Sequence, residues 1–343
     1  MKRFTLFILI VITFSCIDAV DLSLPSSYDK LVIDGLVTNE PGPYTIRIGR
    51  SLPFDNTKVL PAYFNPEANA IVSIDDNLGN SFALTETGPG LYVTPAHFTG
   101  GIGVTYTLKI RTADGKKYQS DPELMRDVPA IDSLIYTYIT YQRLTESGSG
   151  NIVETTSTGF QLTVKSNDPN GLKNYYRWKV SGIFEYFSIN DNPEIKQCWA
   201  PVFRLETHVK VNNDHYFDGN SFLEDVAIIP YERPSYYLAA VKQYSISARA
   251  YEFWNQFKNQ QLNTGSIFDP PPVAIRGNMK NIDDDSDMVL GYFGVSAVYE
   301  KSVLINRFIA SGRVSPSPYI MPIGGDCRDH EPRGTNIKPP GFP

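Results

Sequence analysis

The feature that most constrains this 343-residue chain is an apolar–polar alternation with a period of two. It is cleanest at Val104-Tyr106-Leu108-Ile110, set against Thr105-Thr107-Lys109-Arg111. Tyr44-Ile46-Ile48 alternates with Thr45-Arg47, and Ala70-Val72-Ile74 with Ile71-Ser73. Successive side chains on a strand project to opposite faces, so the pattern describes strands with one face in a core and one in water. Turn chemistry separates the runs at Pro41-Gly42-Pro43, Asp76-Asn77-Leu78-Gly79, Gly88-Pro89-Gly90 and Asp114-Gly115. About seven strands in about 95 residues predict an immunoglobulin-like β-sandwich over 31–127. Tyr106, soon after Gly103, sits where such a sandwich places a corner tyrosine, its hydroxyl turned back on the backbone.

Val128-Pro129-Ala130-Ile131-Asp132 reads as a join, and 128–315 as a second β-rich domain. A strand opens it, and a Ser/Gly/Thr-rich stretch over 146–158 then predicts a long hairpin loop. Alternation resumes at Phe160-Leu162-Val164 and Tyr176-Trp178-Val180, joined by the turn Asp168-Pro169-Asn170-Gly171. Further strands fit 202–211, 236–246, 289–298 and 302–309. One stretch breaks the rule: Ala250, Phe253, Trp254 and Phe257 recur at i, i+3, i+4 and i+7, which predicts a helix over about 247–262. Ser247 suits its N-cap, Gly265 lies just past its end, and its aromatic face is expected on the second sheet. The Pro/Gly-rich tail, 316–343, is expected to be irregular. With 21 Tyr and 19 Phe, and with Gly and Pro at 25 each, the composition is that of a mainly β secreted protein.

The N-terminus constrains location. Lys2-Arg3, an apolar run from Phe4 to Phe14 and Ser15-Cys16 form an export signal too short to span a bilayer. A cysteine after a small residue at that point resembles a bacterial lipoprotein signal, although Thr13 and Phe14 depart from its commonest form. The expectation is a signal peptide at 1–15, lipidation of Cys16 and a tether over 16–30. The mature chain then carries 29 basic against 37 acidic residues, since Lys2 and Arg3 leave the total of 31, for a net charge of −8. That balance argues against nucleic-acid partners and against adsorption to an anionic membrane surface. Cys198 and Cys327 remain, as a disulfide or as two buried thiols, and an oxidising compartment favours the bridge. Closing so long a loop stabilises a fold by on the order of 4 kcal/mol in the chain-entropy model.

A family resemblance rests on several blocks. Tyr251-Glu252-Phe253-Trp254 is followed by Gly265-Ser266-Ile267-Phe268-Asp269-Pro270-Pro271-Pro272, then by Arg276-Gly277-Asn278-Met279 and Val289-Leu290-Gly291-Tyr292-Phe293. With Gly35-Leu36-Val37-Thr38-Asn39-Glu40-Pro41-Gly42-Pro43-Tyr44, Gly103-Val104-Thr105-Tyr106 and a tail of Asp326-Cys327-Arg328, Gly334-Thr335 and Lys338-Pro339, the chain resembles the Bacteroidota outer-membrane lipoprotein family called domain of unknown function 4249. Such tails tend to finish in an aromatic, and Phe342-Pro343 is a degraded version of that ending. The resemblance implies a lipid-anchored envelope protein, often found beside a TonB-dependent receptor, and assigns no chemistry.

The residues themselves offer little catalytic chemistry. No H-E-x-x-H pair and no G-x-S-x-G elbow occurs, and Gly100-Gly101-Ile102-Gly103 leads into a strand where a phosphate loop needs a helix. Of His97, His208, His215 and His330, the middle two flank Asn212-Asn213-Asp214 and fit the arms of a hairpin, facing each other as surface residues or as metal ligands. Asp283, Asp285 and Asp287 are weak calcium candidates, because Met288 and Gly294 occupy the places where an EF-hand loop needs Gly and Glu. A solvated acidic loop is the simpler reading, and Asp75-Asp76-Asn77 is a turn first. Tyr175-Tyr176, Tyr186-Phe187 and Tyr236-Tyr237 each send one ring inward and one outward, as interface or as ordinary sheet surface. The expectation is a non-enzymatic outer-membrane lipoprotein without a cofactor, capturing a nutrient ligand as accessory to a TonB-dependent transporter. A structural or adhesive envelope protein is the alternative, and a surface hydrolase the weaker one.

Overall fold

The computed structural model describes residues 29–52, 65–148, 152–189, 195–202, 208–262, 274–310, 313–314, 320–321, 326–329, 331 and 333–343. The leader, Cys16, Gly265 and His330 lie outside them. The protein is mainly β. The first half holds β1 (Leu31–Thr38), β2 (Thr45–Arg50), β3 (Asn65–Pro66), β4 (Ile71–Asp76), β5 (Ser81–Ala83), β6 (Thr85–Gly88), β7 (Leu91–Val93), β8 (Thr105–Arg111), β9 (Lys117–Ser120) and β10 (Glu123–Leu124). The second half holds β11 (Ile131–Glu146), β12 (Ile152–Asn167), β13 (Tyr175–Ile189), β14 (Ile195–Pro201), β15 (Lys210–Asn213), β16 (Ser221–Pro230) and β17 (Tyr236–Ser245). Helix α1 (Ala248–Leu262), β18 (Met279–Asn281), β19 (Leu290–Ser296) and β20 (Val298–Asn306) follow.

Two sheets, ordered β19-β1-β2-β7-β6 and β18-β9-β8-β4-β5, share one core. Ile33, Ile46 and Phe293 from the first meet Val72, Leu108 and Tyr118 from the second. The arrangement is sandwich-like, as period-two alternation predicts. Tyr106 takes the corner position, its hydroxyl accepting the Gly101 N–H at 2.8 Å. Asp76 makes a turn, its carboxylate accepting the N–H groups of Leu78 and Asn80 at 2.9 and 2.8 Å.

The sandwich is not completed within 31–127. β1 pairs in parallel with β19, from Val32↔Leu290 to Thr38↔Ser296, and β9 pairs antiparallel with β18. The expected boundary at 127/128 assigned these residues to the second domain. It divides the chain but not the sheets, because β1 and β9 would otherwise present bare edges whose N–H and C=O groups need partners.

The second half builds sheets ordered β11-β12-β16 and β14-β13-β17-β20. Phe160, Leu162 and Ile229 of one pack against Trp178, Tyr186 and Val241 of the other. Most of the long loop expected over 146–158 is strand instead: β11 and β12 stay paired out to Glu146↔Ile152, with 149–151 outside the described residues. Threonine is β-branched and suits a pleated surface, and the hydroxyls of Thr145 and Thr155 meet across the ladder at 3.2 Å. Of the expected strand over 202–211, 203–207 lie outside the described residues and only its end, at Lys210 and Val211, is strand, the start of β15; the preceding strand, β14, ends at Pro201. The 168–171 turn carries the chain from one sheet to the other, not between hairpin neighbours.

Cys198 on β14 and Cys327 form a buried disulfide with Cα atoms 5.6 Å apart. Beyond it, Thr335 exchanges backbone hydrogen bonds with Trp199 at 2.9 and 3.0 Å, and the Phe342 ring lies 6.1 Å from the Trp199 ring. The tail is therefore fastened along β14. No described helix is long and apolar enough to cross a membrane.

Candidate functional site

The site begins with β13. Its residues Tyr176 and Trp178 turn into the second core, so Tyr175, Arg177 and Lys179 turn the other way. Across the ladder Arg177 faces Tyr244 and Lys179 faces Lys242, which gathers three cations on one face. Lys242 is neutralised there: its Nζ lies 2.7 and 2.8 Å from the Glu40 oxygens and 3.4 Å from Glu300. Among the described residues, neither Arg177 nor Lys179 has a carboxylate within ion-pair distance.

Helix α1 covers part of that face. Ser247 caps it, accepting the Ala250 N–H at 3.1 Å, as the sequence predicts. Tyr251 lies 5.2 Å from Tyr175, and the Arg177 guanidinium carbon sits 3.4 Å above the Trp254 ring. The helix reaches further than the second sheet, however. Phe253 packs 5.0 Å from Tyr292 of β19, so α1 wedges between the two sandwiches.

Beside the wedge a groove stays open. Its floor is the outer face of the β1–β19 ladder, where Val32, Asp34 and Leu36 stand opposite Leu290, Tyr292 and Gly294. At Gly294 a Cβ would come 3.1 Å from Leu36 Cδ1, so the missing side chain keeps the floor low. Phe253, Trp254 and Phe257 line it with aromatic rings, and Arg177, stacked on Trp254, lines it with charge together with Lys179. The cavity measures about 480 Å³, within the usual size of small-molecule sites. Phe257 remains 40 % exposed, an aromatic surface that no described neighbour covers.

The groove carries net positive charge. Asp34 is the carboxylate among its lining residues, against Arg177 and Lys179. Desolvation lowers the Arg177 pKa to about 10, which leaves the guanidinium charged at neutral pH. Desolvation and the adjacent Arg177 charge also bring Lys179 below its ordinary value.

Behind the groove lies a buried acid. Tyr292 donates its hydroxyl to Glu123 Oε1 at 2.5 Å, and Asn278 Nδ2 donates to the same oxygen at 3.2 Å. Burial raises the Glu123 pKa and outweighs hydrogen bonds from Tyr292, Ser247 and Asn278. These bonds fix the Tyr292 ring that both the helix and the groove use.

The residues singled out from sequence fare differently. Asp283 and Asp285 are exposed and Asp287 is half-buried, and the three do not gather. Asp287 instead accepts from Tyr118 at 3.0 Å and Asn281 at 2.9 Å. Those bonds and Lys116 hold it below the usual carboxylate range although burial opposes the charge. The acids that do converge are Asp168, Asp214 and Asp218, with oxygens within 4.8 Å of one another. Each serves a turn: Asp168 accepts from Tyr176, Asp214 from Asn174 N–H and Asp218 from Gly171 N–H.

His208 and His215 are exposed, and β15 between them pairs with β13, so the expected hairpin does not form. Of the tyrosine pairs, Tyr176, Tyr186 and Tyr237 point inward. Their outward neighbours Tyr175 and Tyr236 are covered by Tyr251 and Phe308. No sequence motif marks Arg177 and Lys179, although their alternation with Tyr176 and Trp178 already places them on an outer face. No curated protein matches the chain. The family described as Domain of unknown function (DUF4249) matches residues 17–302, including the helix, the glycine-rich β19 and the β1 segment that together enclose the groove, and the chain belongs to that family.

Proposed function

We propose that this protein is a non-enzymatic, lipid-anchored outer-membrane protein that captures a small ligand in the groove beneath α1 as accessory to a TonB-dependent transporter. The observation that carries the reading is the groove itself, an aromatic-walled cavity of about 480 Å³ beside Trp254 and Phe257. An open apolar surface costs solubility unless something occupies it in use, and concave aromatic sites with a few polar groups are typical ligand sites. Cys16 after an apolar leader supports the anchor, and the family resemblance supports the receptor. The anchor would leave the groove on a tethered body able to hand a ligand to a neighbouring membrane protein.

Purification from native membranes tests the reading. Co-isolation with a TonB-dependent receptor, together with fatty acid on Cys16 by mass spectrometry, is the expected result. A protein recovered alone in every preparation, or cleaved elsewhere and free of acyl chains, counts against it.

A further inference from the structure

Arg177, Lys179 and Lys242 share one face of the second sandwich, yet Lys242 alone is neutralised, by Glu40 and Glu300. Residues two apart on a strand are spaced roughly 6–7 Å along it, so the other two cations can reach one small anionic group together. The Trp254 ring holds the Arg177 guanidinium from one side, an arrangement that orients the fork and lowers the entropy lost on binding. Next to these charges the lining is hydrocarbon: Phe253, Phe257, Ile275, Leu36 and Leu290. A neutral ligand would leave the net positive charge unmatched, since Asp34 offsets one of the two cations, and a small inorganic anion would leave the aromatic surface uncovered.

We infer that the groove binds an amphipathic anion, an alkyl or aryl body ending in one acidic group, with the acid at Arg177 and Lys179 and the body along α1. The inference rests on the proposed capture role of the groove and adds the class of ligand. Asp34 on the groove floor opposes a second negative charge, so a monoanion fits better than a dianion.

Three ten-carbon probes separate the possibilities: decanoate, 1-decanol and decyltrimethylammonium. Each is titrated calorimetrically into the full mature chain, 16–343, carrying Cys16→Ser so that neither acyl chain nor detergent competes. Decanoate is expected to bind at least ten-fold tighter than decanol, with the cation weakest. Arg177→Met should cost decanoate at least ten-fold while leaving decanol within two-fold. Lys179→Met, which keeps the hydrocarbon stem and removes the charge, should cost decanoate about three-fold. Equal affinities for decanoate and decanol, insensitive to both substitutions, would overturn the headgroup assignment and keep the groove. Absence of binding by all three probes would remove the groove as a ligand site.

Discussion

Glu123 shows how a single side chain ties groove chemistry to stability. Glu123 is 3 % exposed and Oε2 has no hydrogen-bond partner among the described residues, so the folded state favours the protonated form and its pKa lies above the ordinary 4.5. The native state therefore binds more protons than the unfolded chain above pH 4.5, and stability falls as pH rises through the interval up to the raised value. Glu123→Gln mimics the neutral acid. Comparing its urea midpoint with the parent's across that interval should show the parent losing stability and the variant holding level by difference. Parallel curves would mean that Glu123 does not titrate there. Gly291 is the second decisive residue. Its φ is +82°, and a Cβ would approach the Ile33 carbonyl oxygen to 1.9 Å. Gly291→Ala combines left-handed strain with a clash between paired backbones, so a loss of about 2 kcal/mol or more is expected in denaturant unfolding.

At the scale of elements, α1 is the piece whose existence and cap could be read directly. The i, i+3, i+4, i+7 aromatics and Ser247 require no partner to be recognised, because both signals are local. Ser247→Ala should cost about 1 kcal/mol in thermal unfolding. It should also weaken decanoate binding, since the hydroxyl lies 3.4 Å from that of Tyr292. The strand at 290–296 was equally legible as a strand, but alternation says which way a side chain points and nothing about which edge it joins. Its pairing with β1 was therefore invisible, and so was the groove floor. The threonine-rich arm of β12 misled for the opposite reason. Ser, Gly and Thr together suggest a loop, whereas Thr155, Thr156 and Thr158 are individually good strand residues once β11 lies beside them.

Taken as a whole molecule, the two sandwiches are joined through more than a linker. Val298 N–H donates to Asn39 Oδ1 at 2.8 Å, Ser245 Oγ donates to the Arg126 carbonyl at 2.6 Å, and Lys242 bridges to Glu40. A third apolar cluster containing Ile246, Phe253, Tyr292 and Val298 fills the junction around α1. The first sandwich lacks one strand in each sheet without 279–296. A fragment spanning 29–127 is accordingly expected to show no cooperative unfolding transition by circular dichroism, while 29–310 retains one. A sharply melting short fragment would show that β18 and β19 are ornaments to an already stable body.

The parallel seam between β1 and β19 also sets an order of events. A ribosome delivers the N-terminal strand first and its partner only near the end, so the earliest segment has to wait, half-matched, while everything between is made. Maturation of such a chain resembles the fastening of a clasp. Any truncation before β19 leaves the opening strand without its mate.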